Sequence, residues 1–287
     1  MACALVLLAA APARAEPLVR ISSQTSSPAA HPIAVTGSNG PVLRLGGGAR
    51  ANWTGGGSLL FNTSPTHGRN EWVAEAKDQW ISDPATVSAY MLYLDDPDRS
   101  YEVRTFSSAS SGVSANPSAR ATVPPGWVLT GGGCSVDWRS AQGPGNLLTG
   151  SYPDVKSGGT ADTWVCTAKS HGGDSPADMV AVAIGIRLSP RAAGYGSPPK
   201  MCISQVTSMP GAYPLARAGN CAAGQGGQIT GGGARGQVTA PGPDRGQLLT
   251  ATAPIVTRGA VSGWEARSKE HSAPSPGTVT EIGRAHV

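Results

Sequence analysis

The sequence predicts an all-β protein of three homologous antiparallel β repeats, arranged either as tandem sandwich-like units or as one pseudo-threefold, β-prism-like assembly. Three observations carry this. A set of landmarks recurs three times in the same order: a glycine triplet, a Leu-Leu pair, a proline, a tryptophan, a lysine and a second proline. Between landmarks, small or apolar residues alternate with polar ones at the period of a half-buried strand. No segment sustains the 3.6-residue periodicity of a helix.

The first copy carries Gly46 to Gly48, Leu59-Leu60, Pro65, Trp72, Lys77 and Pro84. The second carries Gly131 to Gly133, Leu147-Leu148, Pro153, Trp164, Lys169 and Pro176, and the third Gly231 to Gly233, Leu248-Leu249, Pro254, Trp264, Lys269 and Pro276. In every copy five residues separate the second Leu from Pro, five separate Trp from Lys, and twelve separate Trp from the second proline. The gap from triplet to Leu pair drifts instead through 11, 14 and 15. Constant segments are therefore paired strands or tight turns, and variable ones are surface loops where insertion costs little closure entropy. The triplets begin 85 and 100 residues apart, which makes each unit the size of a small domain. The units read as 17–98, 99–190 and 198–287.

In chain order, residues 1–15 form an apolar run ending Ala13-Arg14-Ala15, the pattern of a signal peptide and its cleavage site. Each unit then reads as five strands. An opening strand (Leu18 to Ser22, Glu102 to Phe106, Met201 to Val206) precedes the triplet strand, the Leu-Leu strand, the Trp strand and a closing strand. Along the Trp strand, Trp72, Ala74 and Ala76 share a core face while Glu75 and Lys77 share a wet one, as in an antiparallel sheet. Glycines inside a strand pattern point to a bulge or to close backbone approach. Ser/Pro-rich stretches at 107–117 and 189–199 read as loops or linkers, and Asp95 to Asp98 as a linker turn. The third closing strand is expected to break off after about Thr280, because residues 282–287 abandon the apolar pattern of Val87 to Leu94 and Met179 to Ile186 and read as foreign to the repeat.

Cysteine usage supplies the sharpest local inference. Cys134 and Cys166 stand where the other copies carry Ala49 and Ala74, or Ala234 and Ala266. Both positions switch together in one copy, which predicts a disulfide between two adjacent strands. Cys202 and Cys221 then pair by elimination, since Cys3 belongs to the leader and free thiols are rare in exported chains. Trp138, four residues after Cys134, belongs on the same buried face unless the glycines bulge. Neither CxxC nor HxxxH spacing occurs, so neither a metal site nor a cofactor is expected.

A formal net charge of +4, scattered along the chain, excludes a nucleic-acid stripe. No GxSxG elbow, P-loop or HExxH motif is present, and no catalytic residue is predicted. The repeated motifs, TGGG, NLLTGSYP and TWVCTAKSH in the middle copy with QLLTATAP and GWEARSKEH in the third, resemble a tandem repeat of secreted bacterial proteins (GGGA, LLTxSYP, WxAxSKDH and a closing YAIGI-like strand) across nearly the whole mature chain. The resemblance implies export and repetition but no activity. The first copy departs from it with Lys77-Asp78-Gln79 where the others carry Lys169-Ser170-His171 and Lys269-Glu270-His271.

From Lys to the second proline every copy has seven residues, so the loop after the Trp strand is the candidate site. Lys77, Lys169, His171, Asp174, Lys269 and His271 form either a turn locked by hydrogen bonds or one polar ligand pocket per unit. Trp72, Trp164 and Trp264 are expected in the core, and Trp80 and Trp127 at loops or strand edges. The expected function is that of a secreted, non-enzymatic surface or carbohydrate-binding module, with cell-surface glycans or extracellular proteins as partners. The alternative is a coat or scaffold protein without a specific ligand.

Overall fold

Among the described residues six strands form in every unit, one more than the pattern predicts. Unit 1 supplies β1 (Leu18–Thr25), β2 (Ile33–Gly37), β3 (Leu43–Asn52), β4 (Leu59–Pro65), β5 (Glu71–Lys77) and β6 (Thr86–Asp95). Unit 2 supplies β7 (Tyr101–Ala109), β8 (Ser118–Thr122), β9 (Val128–Asp137), β10 (Asn146–Pro153), β11 (Thr163–Ser170) and β12 (Asp178–Leu188). Unit 3 supplies β13 (Met201–Thr207), β14 (Leu215–Gly219), β15 (Gln228–Val238), β16 (Leu248–Thr257), β17 (Ala260–Lys269) and β18 (Gly277–His286). This computed structural model describes residues 17–286 apart from 39, 41, 111, 138–143, 193–197, 220–226, 240–245 and 272, and of 284–286 the backbone alone. The leader 1–15, Trp138 and Cys221 thus lie outside the described residues.

No unit owns a sheet. Sheet I runs β1-β6-β3-β16-β17-β14, sheet II runs β2-β5-β4-β9-β12-β7, and sheet III runs β13-β18-β15-β10-β11-β8. Each unit gives its first, sixth and third strands to one sheet and its fourth, fifth and second to the next. The seams are the antiparallel pairs β3 with β16, β4 with β9 and β10 with β15, which close the ring. Separate sandwiches are thereby replaced by a pseudo-threefold arrangement of three shared, six-stranded antiparallel sheets.

The glycine triplets make this closure sterically feasible, and each glycine does a different job. The first ones, Gly46, Gly131 and Gly231, face one another across the axis: a Cβ on Gly131 would fall 2.8 Å from Gly46 Cα, and one on Gly231 3.3 Å from Gly131 Cα. The middle ones make room for the unit's own tryptophan, with a Cβ on Gly47, Gly132 or Gly232 falling 2.3 Å from the nearest atom of Trp72, Trp164 or Trp264. The last ones, Gly48, Gly133 and Gly233, meet the backbone of the neighbouring unit's fourth strand at the seam, where a Cβ would approach Thr252 O to 2.2 Å, Thr63 O to 2.5 Å and Ser151 O to 2.7 Å. A register shift falls immediately before every triplet, so both a bulge and close approach occur.

All three tryptophans are buried, and each indole N–H donates to a hydroxyl two residues before the proline of the Leu-Leu strand: Thr63 Oγ1 at 3.1 Å, Ser151 Oγ at 3.2 Å and Thr252 Oγ1 at 3.0 Å. The indole thus gains its hydrophobic burial without an orphaned donor. The six Leu side chains of the Leu-Leu pairs are fully buried in one core cluster, which Trp164 joins, while Trp72 and Trp264 pack in two smaller clusters.

Three expectations need correction. Glu75 and Lys77 do not share a wet face: both are buried, Glu75 against Asn62, whose Nδ2 donates to its carboxylate at 2.8 Å, and Lys77 at the loop end. Cys134 and Cys166 are bonded, with Cα atoms 5.6 Å apart, but they lie on β9 and β11, which belong to sheets II and III. The bridge ties two sheets face to face rather than two paired strands, because the third and fifth strands of a unit diverge into different sheets. Cys202 is also disulfide-bonded. The third closing strand does not break off at Thr280: β18 continues to His286, paired with β13 on one side and β15 on the other. Backbone pairing tolerates side chains that the apolar pattern did not predict.

Candidate functional site

Within each sheet the described strands pair antiparallel, so odd-numbered strands run one way and even-numbered strands the other. The loops after odd strands therefore gather at one end of the axis, and the loops after the Trp strands, the candidate site, meet there. They converge on one central cluster instead of three separate pockets. Gln79 Nε2 donates to His171 O, the His171 ring Nε2 bonds His271 O at 3.0 Å, and the His271 ring hydrogen-bonds to the backbone of Gln79. The cycle passes once through each unit. The two imidazoles meet edge to face, with centroids 5.0 Å apart.

The lysines are equally cyclic, each reaching the loop before the next unit's Leu-Leu strand. Lys77 Nζ donates to Pro144 O and to Gln79 Oε1, and Lys269 Nζ donates to Gly57 O at 2.5 Å and Gly55 O at 3.1 Å. The half-buried Lys169 side chain passes Gly246, where a Cβ would fall 3.3 Å from its Cδ. Burial pushes Lys77 and Lys269 down to about 8, against the opposing pull of Asp78 on both and Asp83 on Lys269. Burial, then the neighbouring His171 and Lys269, pushes His271 down to about 4. Gln79, His171, His271, Lys77 and Lys269 are all buried, whereas Asp174 is exposed and stands apart from the cycle. This geometry is that of a lock between units.

Beside Ile81, Val113 and Met209, the loop end offers aromatic rings to solvent. Trp80, the residue after Gln79, is 67% exposed and holds φ at +62°, a left-handed conformation that costs a non-glycine residue about 1–2 kcal/mol. Its indole lies so close over Gly172, its own counterpart in unit 2, that a Cβ there would fall 2.1 Å from Trp80 Nε1. At the same end Tyr213, 64% exposed, packs at 5.5 Å on Trp53, whose ring carries Lys269 Nζ 3.9 Å from its centroid. Tyr213, Lys269, Glu270 and His271 border a hollow of about 280 Å³. The sequence singles out Trp80, as a tryptophan not repeated across copies, but not Tyr213 or Trp53, which meet only across units 1 and 3. Trp127 is not a free ring: Phe106 meets it edge-on at 5.6 Å and Arg187 stacks at 4.5 Å. Among the described residues no group of three or more His, Cys, Asp or Glu side chains could hold a metal ion.

Fold and site together define a pseudo-threefold all-β protein with a closed polar hub and exposed aromatic rings at its loop end. No known protein family matches this sequence, and neither does any characterised protein.

Proposed function

We propose that this is an exported, non-enzymatic binding protein whose loop end takes carbohydrate. The observation that carries the reading is Trp80: an indole displayed to solvent, held in a costly backbone conformation and seated on a glycine. Flat apolar rings flanked by polar groups suit the C–H faces and hydroxyls of a sugar. Tyr213 supplies a second ring beside Glu270 and the hollow. Export is supported by the Cys134–Cys166 disulfide, which an oxidising compartment preserves, and by the leader-like residues 1–15. The polar loops, read this way, set the platform rather than touch the ligand.

A glycan array probed with the wild type and with Trp80→Ala tests the reading. The wild type is expected to retain a defined subset of glycans and Trp80→Ala to lose them at an unchanged melting temperature. Retention of no glycan by the wild type overturns it in favour of a ligand-free scaffold.

A further inference from the structure

We propose that the outer face of sheet I binds an oxyanion, the carboxylate, sulfate or phosphate group of an acidic ligand. An open groove of about 450 Å³ crosses the seam between β3 and β16. Arg50 on β3, Arg217 on β14 and Arg267 on β17 converge there on one buried carboxylate, Glu265 on β17. Arg217 Nε lies 3.4 Å from Glu265 Oε2, Arg267 Nε lies 3.1 Å from Oε1, and an Arg50 terminal nitrogen pairs with Oε1 as well. Among the described residues no other carboxylate lines the groove, so three guanidiniums there face one carboxylate, an excess of two positive charges.

Each guanidinium has five N–H donors, and one carboxylate cannot satisfy them all. Arg50 Nε is buried without any hydrogen-bond acceptor. The three side chains remain about 30–56% exposed, open to a ligand from solvent. Glu265 acts as the anchor that holds the guanidinium planes together, and the hydroxyls of Ser23 and Tyr90 border the same groove. Fixed, convergent guanidiniums suit a bidentate oxyanion.

The pseudo-symmetry supplies an internal control. The positions matching Arg50, Arg217, Glu265 and Arg267 hold Ser135, Val35, Val73 and Glu75 on sheet II, and Arg235, Arg120, Val165 and Thr167 on sheet III, as the strand registers show. Among the described residues those sheets show no carboxylate ringed by arginines at the seam; on sheet II the buried Glu75 accepts a hydrogen bond from Asn62. Closure therefore does not require the cluster, which is specific to one face.

Titration calorimetry with inorganic sulfate, oligogalacturonate and a sulfated oligosaccharide, at low ionic strength, tests the site on the full chain. Saturable binding of at least one probe is expected, weakened about tenfold or more in Arg217→Ala/Arg267→Ala, where Arg50 still neutralises Glu265. Arg120→Ala/Arg235→Ala on sheet III is expected to bind like the wild type. An oligosaccharide binding tenfold tighter than sulfate assigns the oxyanion to an acidic glycan, and equal affinity assigns it to a free inorganic anion. Absence of saturable binding to all three probes, or an equal loss in the sheet III variant, overturns the proposal. Neither result bears on the aromatic loop end, which the array and Trp80→Ala read separately.

Discussion

Glu281 occupies a core position that the other two units fill with alanine: the strand registers set it opposite Ala234, as Ala89 stands opposite Ala49 and Ala181 opposite Cys134. Both its carboxylate oxygens are buried without hydrogen-bond partners, and burial pushes its pKa up to about 9. The folded protein keeps Glu281 protonated while the unfolded chain ionises near 4.5, so folding takes up a proton and stability falls as pH rises from about 4.5 towards 9. Glu281→Ala is expected to raise the melting temperature at pH 8 by on the order of 5 °C or more and to flatten this fall. Thermal melts between pH 5 and 8 check it; a fall as steep in the variant would assign the pH dependence elsewhere. His271 works in the opposite direction. Its folded pKa lies below the ordinary 6.5, so the stability its neutral ring confers is lost as pH drops from about 6.5 to about 4. In the Glu281→Ala background, His271→Gln is expected to remove that acid-side loss, because unit 1 already uses Gln79 at this place in the hub. Melts from pH 7 down to 4 read the difference.

Among the elements, the triplet strand carries the steepest structural demand. A Cβ on Gly132 would fall 2.3 Å from Trp164 and from Val182 O, with rigid neighbours on both sides. Gly132→Ala is expected to abolish the folded state, whereas Gly68→Ala, at a turn with open space but φ of +72°, is expected to cost only about 1–2 kcal/mol; denaturant titration separates them. The disulfide is milder than its burial suggests. Ala pairs fill the same positions in units 1 and 3, so Cys134→Ala/Cys166→Ala is expected to fold, with a loss of about 3–4 kcal/mol from releasing a 32-residue loop. The second strands escaped notice in the sequence because Ser118–Thr122 and Leu215–Gly219 bury only alanines, in a five-residue alternation too slight to distinguish from a loop.

For the whole molecule, the shared sheets make the three units interdependent. A chain of residues 17–192 would leave β3 and β10 without their seam partners β16 and β15, exposing two central edges and the core beneath them. This fragment is expected to show no cooperative unfolding transition as a monomer, measured by circular dichroism and analytical ultracentrifugation. Independent folding of the fragment would restore the tandem-sandwich architecture. Asymmetry within the ring is what distinguishes one face and one loop from its counterparts. Trp80, Glu265 and Arg267 have no repeated equivalents, so the binding surfaces proposed here break the symmetry that the core obeys.

The sequence by itself determined the all-β class, the three repeats, the buried tryptophans and the pairing of Cys134 with Cys166, because each rests on local periodicity or on substitutions that occur together at matching positions. It also singled out the Lys-to-proline loop as constrained, since constant length records a constant geometry. Only the tertiary structure decided that each unit divides between two sheets, since strand alternation shows which face is buried but not which strand lies alongside. For the same reason the three Lys and His loops could be read as three pockets until the axis drew them into one hub. Arg50 and Glu265 lie more than 200 residues apart and meet only where the ring closes, a contact that no local pattern encodes.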